Sequence, residues 1–274
     1  MYTGRKARRE GMQLTLEGKG IDELAMERMR IFEPPEGYYL AFSGGKDSVT
    51  LLALAKAAGV KFEARYHLAT VDPPEVVRFV RERHPEVQIV RPPRSIWQLC
   101  TEPAQGILPT RTRRWCCELL KEIGGQGRYV LTGLRWAESA RRARRKMVEH
   151  SRPSPTKKFV NPIIDWSDDD VWQYIREKHI EYCPLYDEGF QRIGCVLCPM
   201  VEGWQLDLQV QRWPKIVQAW RSAANRVYAF RRDRGLPVHW ASGDEYFDWW
   251  LSRKGMKHET GQTTFYDCLA PFSD

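Results

Sequence analysis

The segment Ser43-Gly44-Gly45-Lys46-Asp47-Ser48 has residue types and spacing suited to phosphate chemistry. It lies between a short apolar, aromatic run at 38–42 and a Leu- and Ala-rich stretch at 47–58 that stops at Gly59. Paired glycines let backbone N–H groups approach phosphate oxygens, and a helix N-terminus favours the same negative charge. Lys46 adds a cation, and Ser43 and Ser48 add hydroxyl donors. A Walker A loop is excluded: Leu40 occupies its first glycine position and Asp47 follows the lysine. A carboxylate such as Asp47 repels a polyphosphate unless a metal ion bridges the two.

The cysteines form a second candidate. Cys116-Cys117 is an adjacent pair, and Cys195-x-x-Cys198 follows much later. A C-x-x-C alone suits redox, zinc or iron–sulfur chemistry. Adjacent cysteines are awkward for tetrahedral zinc, whose sites favour wider spacings, and four thiolates around a [4Fe–4S] cluster are the natural alternative. Cys183 is an alternative ligand in place of Cys116 or Cys117. Cys100, among Ile96, Trp97 and Leu99, reads as a packed thiol.

A third stretch, Thr132-Gly133-Leu134-Arg135-Trp136-Ala137-Glu138-Ser139-Ala140-Arg141-Arg142, runs on through Lys146 with six basic residues against one acid. Two readings stand: a footprint for a nucleic acid backbone, or a solvated loop that feeds arginines into a phosphate site. Arginine suits the second task because its planar fork bonds phosphate oxygens in pairs.

Strands and helices must alternate to hold these segments. Periodicity predicts a helix over 21–32, strands over 38–42, 62–71, 87–90 and 128–134, and helices over 47–58, 74–83 and 114–123. Ser167 with Asp170 predicts a capped helix to about Lys178. Beyond Pro199 the pattern is helical and rich in tryptophan, which reads as core packing. The expected class is α/β: a Rossmann-like, mainly parallel sheet with helices on both faces, plus a C-terminal helical region. The expected division is an N-terminal helical segment at 1–36, a nucleotide-binding domain with the cysteine cluster at 37–200, and C-terminal helices at 201–274.

Composition agrees with a packed protein. The chain has 274 residues, 42% of them hydrophobic, with 43 Lys+Arg against 35 Asp+Glu and a net charge of +8. No apolar run has the length of a transmembrane helix, and no apolar leader follows the basic N-terminus. The expectation is a cytoplasmic protein without a membrane partner. In that compartment seven cysteines point to a metal or cluster rather than disulfides.

The hexapeptide 43–48 resembles the PP-loop of the ATP pyrophosphatase (adenine nucleotide alpha hydrolase-like) superfamily. That resemblance implies cleavage of ATP between its α and β phosphates, with Asp47 helping to hold Mg²⁺ and pyrophosphate. The Cys-Cys pair with a later C-x-x-C is similar to the adenylyl-sulfate reductase type of sulfonucleotide reductase. It implies a [4Fe–4S] cluster on Cys116, Cys117, Cys195 and Cys198, with Lys121 at the offset of a lysine those enzymes carry. The 132–142 stretch resembles a G-x-R-x-x-E-S-x-x-R segment of the same superfamily, implying nucleotide contacts from Gly133, Arg135, Ser139 and Arg142. From about Tyr38 to Pro199 the motifs follow the order of the phosphoadenosine phosphosulfate (PAPS) reductase family.

Two departures shape the functional expectation. The reductases usually carry a degraded loop, whereas this one is intact and suits ATP. They also place a nucleophilic cysteine near the C-terminus in Glu-Cys-Gly, followed by His; this chain has Asp267-Cys268-Leu269-Ala270. The expectation is therefore an iron–sulfur ATP pyrophosphatase that adenylates a substrate for sulfur transfer, with tRNA or DNA as acceptor and a separate sulfur or electron donor. Its catalytic residues would be Lys46, Asp47, Lys121 and Arg135, and its loop residues Ser43, Gly44, Gly45 and Ser48 would bind nucleotide. The enzymatic alternative is a reductase making sulfite from an adenosine phosphosulfate through Cys268. The non-enzymatic one is a nucleic-acid-binding module with a structural zinc on four cysteines.

Overall fold

The computed structural model describes residues 18–151, 156–201 and 203–253. Cys268 and the remainder of the two terminal segments lie outside the described residues. In chain order the main elements are α1 (Ile21–Ile31), β1 (Tyr38–Phe42), α2 (Lys46–Ala58), β2 (Phe62–His67), α3 (Pro74–Arg83), β3 (Gln88–Val90), α4 (Ile96–Leu99) and α5 (Trp115–Leu120). These are followed by β4 (Tyr129–Leu131), β5 (Val148–His150), β6 (Lys158–Val160), α6 (Asp168–Glu177), α7 (Trp204–Arg212), α8 (Pro214–Asp233) and α9 (Gly243–Ser252).

The strands form one sheet in the order β3-β2-β1-β4-β6-β5. All neighbours run parallel except β5, which lies antiparallel on β6. The chain moves outward from β1 through β2 to β3 and then restarts at β4 on the other side of β1. The connections at the carboxyl ends of β1 and β4 therefore part in opposite directions, which opens a crevice there. In doubly wound sheets this is where ligands bind. Both the 43–48 loop and the 132–142 stretch leave the sheet at this point.

Local sequence explains how these elements begin and end. Gly59 stops α2 in the left-handed conformation, at φ 71°. The Ser167 hydroxyl accepts from the Asp170 N–H, and the Asp170 carboxylate accepts from the Ser167 N–H at 2.8 Å, closing the expected capping box of α6. Helix α2 is buried along most of its length and packs with α1 and α6. Its Leu51, Leu52 and Leu54 join Tyr38 and Leu40 of β1 in the core, all 0–1% exposed.

The described residues fall into two compact units. One holds the sheet and comprises 18–67, 74–91 and 123–194; the other comprises 68–73, 92–122 and 195–253. The second unit is built around tryptophan. Trp220 of α8 is buried edge-on to Trp97 and tilted against Trp250, with both ring centroids at 4.8 Å. The Trp250 indole donates to the Pro109 carbonyl at 2.7 Å, and the Tyr246 hydroxyl accepts from the Leu108 N–H at 2.9 Å. Trp213, Trp220 and Trp250 are thus core residues, as expected, while Trp204 is 54% exposed.

Several elements depart from the sequence expectation. Strand β2 ends at His67 rather than at 71: Thr70 turns to φ 64°, and the Asp72 carboxylate accepts from the Ala69 N–H at 2.6 Å. Helix α5 is shorter than 114–123, because the N–H groups of Lys121 and Glu122 both close on the Cys117 carbonyl. Strands β5 and β6, three residues each, were not anticipated. Among the described residues no helix is long and apolar enough to cross a membrane.

The caps provide a stability test in each unit. Replacing Ser167 by Ala, or Ser242, whose hydroxyl caps α9 by accepting from Glu245 N–H, should cost about 1 kcal/mol each. Thermal denaturation is expected to show the melting temperature lowered by a few degrees in either variant.

Candidate functional site

In the sheet unit, the chain leaving β1 turns sharply through Gly44, at φ 74°, where an added Cβ would come within 2.7 Å of Val76. Only glycine fits both the conformation and the space. Gly45 then caps α2, and its carbonyl accepts from the Ser48 N–H at 2.9 Å and the Ser48 hydroxyl at 2.8 Å. The Ser43 hydroxyl reaches Ser48 Oγ at 3.2 Å. The loop is held by its own side chains, and α2 aims its positive end along it.

Four charged side chains interlock at the start of α2. Arg135 is 1% exposed and spends its donors inside the protein. Its Nε donates to Asp47 Oδ1 at 2.7 Å, Nη1 to the Trp166 carbonyl at 3.2 Å and Nη2 to Asp168 Oδ1 at 2.5 Å. Lys46 Nζ lies 3.1 Å from Asp168 Oδ1 and 3.5 Å from Asp47 Oδ2. Desolvation would raise the Asp168 pKa, but hydrogen bonds from Arg135 and Lys46 outweigh it and hold the carboxyl below its usual range. The network is neutral as a whole, with two cations and two carboxylates. Arg135 thus positions Asp47 and Asp168 at the crevice.

The other residues of the 132–142 stretch fit around this network. A Cβ on Gly133 would lie 2.9 Å from the Asp47 carbonyl oxygen, so β4's exit packs directly on the first turn of α2. Ser139 Oγ accepts from the Arg142 N–H at 3.3 Å, and the Arg142 guanidinium pairs with Glu138. Burial and then the charges of Arg192, Arg145 and Arg135 push the Arg142 pKa down, with Asp47 opposing. Arg141, Arg144 and Lys146 are exposed, and Trp136 is 43% exposed.

The second unit carries the cysteines. Cys116 and Cys117 sit in the first turn of α5, and Cys195–Cys198 form a tight turn in which Cys198 N–H donates to the Cys195 carbonyl at 3.2 Å. Leu197, inside that turn, is left-handed at φ 57°. The C-terminal helices pin it. Gln209 of α7 accepts from the Leu197 N–H at 2.7 Å, Trp220 of α8 donates to the Val196 carbonyl at 3.1 Å, and Arg253 donates to the carbonyls of Leu197 and Cys198.

The four thiols lie within electrostatic reach of one another. A hydrogen bond with Cys117, then burial, then the charges of Cys117, Cys195 and Cys198 drive the Cys116 pKa up. The same bond, aided by Arg114 Nη2 at 3.2 Å from Cys117 Sγ, pulls Cys117 down. Cys195 is raised to about 11 by burial, against the pull of Lys121. Desolvation would lower Lys121, but Cys195 and Asp72 hold it above the usual lysine range. Among the described residues no group of three or more His, Cys, Asp or Glu is arranged to hold a metal ion. The four thiols have two cations in the same surroundings, Arg114 beside Cys117 and Lys121 facing Cys195. Cys183 belongs to the sheet unit, fully buried, and the charges that reach it come from Glu75, Glu188 and Asp187. Cys100 is a packed thiol pushed up to about 12 by burial.

Structure adds residues that sequence reasoning missed. Asp168 was visible only as one of three aspartates after Ser167, a pattern that reads as helix capping. Tyr186, whose hydroxyl accepts from the Lys46 N–H at 2.8 Å, carried no signal beyond its place in an aromatic cluster. Asp72, 3.7 Å from Lys121 Nζ, lies far along the chain from the cysteines, and Gln209 lies on α7 beyond the Cys195–Cys198 turn whose backbone it bonds.

The chain is similar to several known proteins. The phosphoadenosine phosphosulfate reductase domain family matches residues 37–201, more than half of the chain. An uncharacterized protein of Methanocaldococcus jannaschii is 32% identical over 211 residues, covering 72% of this chain and 43% of its own length. Adenosine 5'-phosphosulfate reductase 2 of Bacillus subtilis is 27% identical over 208 residues, covering 70% of this chain and 85% of the relative. The crystal structure of phosphoadenylyl-sulfate reductase from Candida auris in a phosphate complex matches 68% of this chain and 97% of that one, at 21% identity and a TM-score of 0.47. The chain spans about half the length, or less, of the Methanocaldococcus relatives it matches.

The close approach at Gly133 is directly testable. Gly133→Ala must push the exit of β4 away from the backbone of Asp47, at a cost of about 1–3 kcal/mol. Chemical denaturation should show that loss.

Proposed function

The chain belongs to the phosphoadenosine phosphosulfate reductase domain family, and within that family we propose that its intact 43–48 loop marks an ATP pyrophosphatase which adenylates an acceptor for sulfur transfer. The observation that carries this reading is the carboxylate pair Asp47 and Asp168, fixed by Arg135 beside an intact phosphate loop. Arg135 and Lys46 offset both carboxylates within a neutral network, and a divalent cation would join that pair to a triphosphate. Mg²⁺ suits one or two carboxylates plus phosphate oxygens, and when bound it would neutralise charge between them.

In the reaction the acceptor's nucleophilic atom attacks the α-phosphorus of ATP, the α–β bond breaks, and pyrophosphate leaves with the electron pair. Lys46 Nζ and the N–H groups of the 43–48 loop stabilise the charge growing on that leaving group. Ser139 and the loop hydroxyls orient the nucleotide, with Arg142 held beside them by Glu138. The exposed Arg141, Arg144 and Lys146 suit the phosphate backbone of a tRNA or DNA acceptor. Cys116, Cys117, Cys195 and Cys198 would hold a [4Fe–4S] cluster, which when bound supplies sulfur or electron-transfer chemistry fed by a separate donor. Lys121 and Arg114 balance the thiolate charge there.

A second reading, reduction of an adenosine phosphosulfate to sulfite, is favoured by similarity to a protein named adenosine 5'-phosphosulfate reductase. Its nucleophile would be Cys268, outside the described residues.

Anaerobically purified protein should be brown with about four irons per chain; a colourless protein with one zinc would favour a nucleic-acid-binding module. With Mg²⁺, ATP and acceptor it should release pyrophosphate. Lys46→Ala should lower that rate by about 10²–10³-fold, and omission of Mg²⁺ should abolish it. Sulfite production from adenylyl sulfate, lost in Cys268→Ala, with no ATP turnover would overturn the proposal in favour of the reductase.

A further inference from the structure

Tyr186 lies in the turn Pro184–Tyr186 that follows Cys183, far along the chain from the loop. Its ring packs edge-on to Trp172 and Tyr182, with centroids at 5.0 and 6.3 Å. This aromatic trio holds the hydroxyl over the loop, where a Cβ on Gly45 would lie 3.3 Å from it. There the hydroxyl oxygen accepts from the Lys46 N–H at 2.8 Å. That amide is the first of α2, one of the donors a helix N-terminus normally offers to a phosphate.

Accepting this bond leaves the hydroxyl with its own proton still to give. No described residue accepts it, and burial, with Asp47 nearby, raises the Tyr186 pKa so that the group stays protonated. A hydroxyl polarised by a donated N–H is itself a stronger donor. We propose that Tyr186 is a nucleotide-binding residue: it extends the first amide of α2 by one hydroxyl and donates to a phosphoryl oxygen of the polyphosphate in the loop. The alternative geometry, in which the hydroxyl merely fills the place of a phosphate oxygen and is expelled on binding, predicts the opposite effect of removing it. The inference rests on the reading of 43–48 as a polyphosphate site.

Tyr186→Phe keeps the ring and deletes the hydroxyl. Calorimetric titration of wild-type protein and variant with inorganic pyrophosphate and with Mg·ATP is the test, alongside their melting temperatures. The expected result is binding weakened on the order of tenfold or more, as for loss of a hydrogen bond to a charged group, with the melting temperature preserved. Tyr182→Phe, which removes a hydroxyl bonded to Asp187, should bind like wild type. Binding that is unchanged or tighter in Tyr186→Phe overturns the inference while leaving the loop's role intact. Absence of binding to either compound in wild type overturns the loop reading and this inference together.

Discussion

A single buried guanidinium ties the sheet unit's crevice together. Arg135 stands just beyond β4, and its three hydrogen-bonded nitrogens reach the first turn of α2, the Trp166 carbonyl and the first residue of α6. Segments that are remote in sequence are thereby held in one register around the end of β1. A charge this deeply buried is tolerated only because every direction it faces offers an acceptor. Lysine would not serve, since one ammonium cannot reproduce a planar fork aimed at three separate groups. With Arg135 in place, Asp47 and Asp168 are fixed, and Lys46 is balanced between them.

The contact at Gly133 depends on the same register. The backbone beyond β4 lies against the backbone of Asp47, a distance that no side chain at 133 would permit. Close packing here lets Arg135 reach across, and Arg135 in turn stops α2 from drifting. The cysteine turn in the other unit is organised differently, by hydrogen bonds to its main chain. Gln209, Trp220 and Arg253 bond the backbone of Val196, Leu197 and Cys198. The C-terminal helices therefore support the site without supplying a thiol among their described residues.

Charge follows a similar economy. Of the basic residues from Arg135 to Lys146, Arg135 is consumed internally, Arg142 pairs with Glu138 and Arg145 with Glu149. Exposed Arg141, Arg144 and Lys146 are left to face a partner. A local excess that looks uniform in sequence is thus divided in space into structural and available cations. Residue counting cannot make that division for Arg135, whose partners lie at the starts of α2 and α6, whereas Arg142 and Arg145 pair locally, four residues away.

The sequence alone determined the local elements whose signals are short-range. Gly59 ends α2, Ser167 caps α6, apolar Tyr38–Phe42 forms the central strand, and the glycine loop joins strand to helix, because each depends on residues within one turn. The motif types were equally legible, since phosphate cradling and thiolate clustering demand particular residues at particular spacings. Tertiary structure decided which residues meet. It stopped β2 at His67, where Thr70 and Asp72 redirect the chain, and it placed 92–122 with the C-terminal helices. It also turned Arg135 inward and brought Asp168 and Tyr186 to the loop. Those outcomes depend on long-range packing and on the need to satisfy buried charges and amides, constraints that come into force only once distant segments have been brought together.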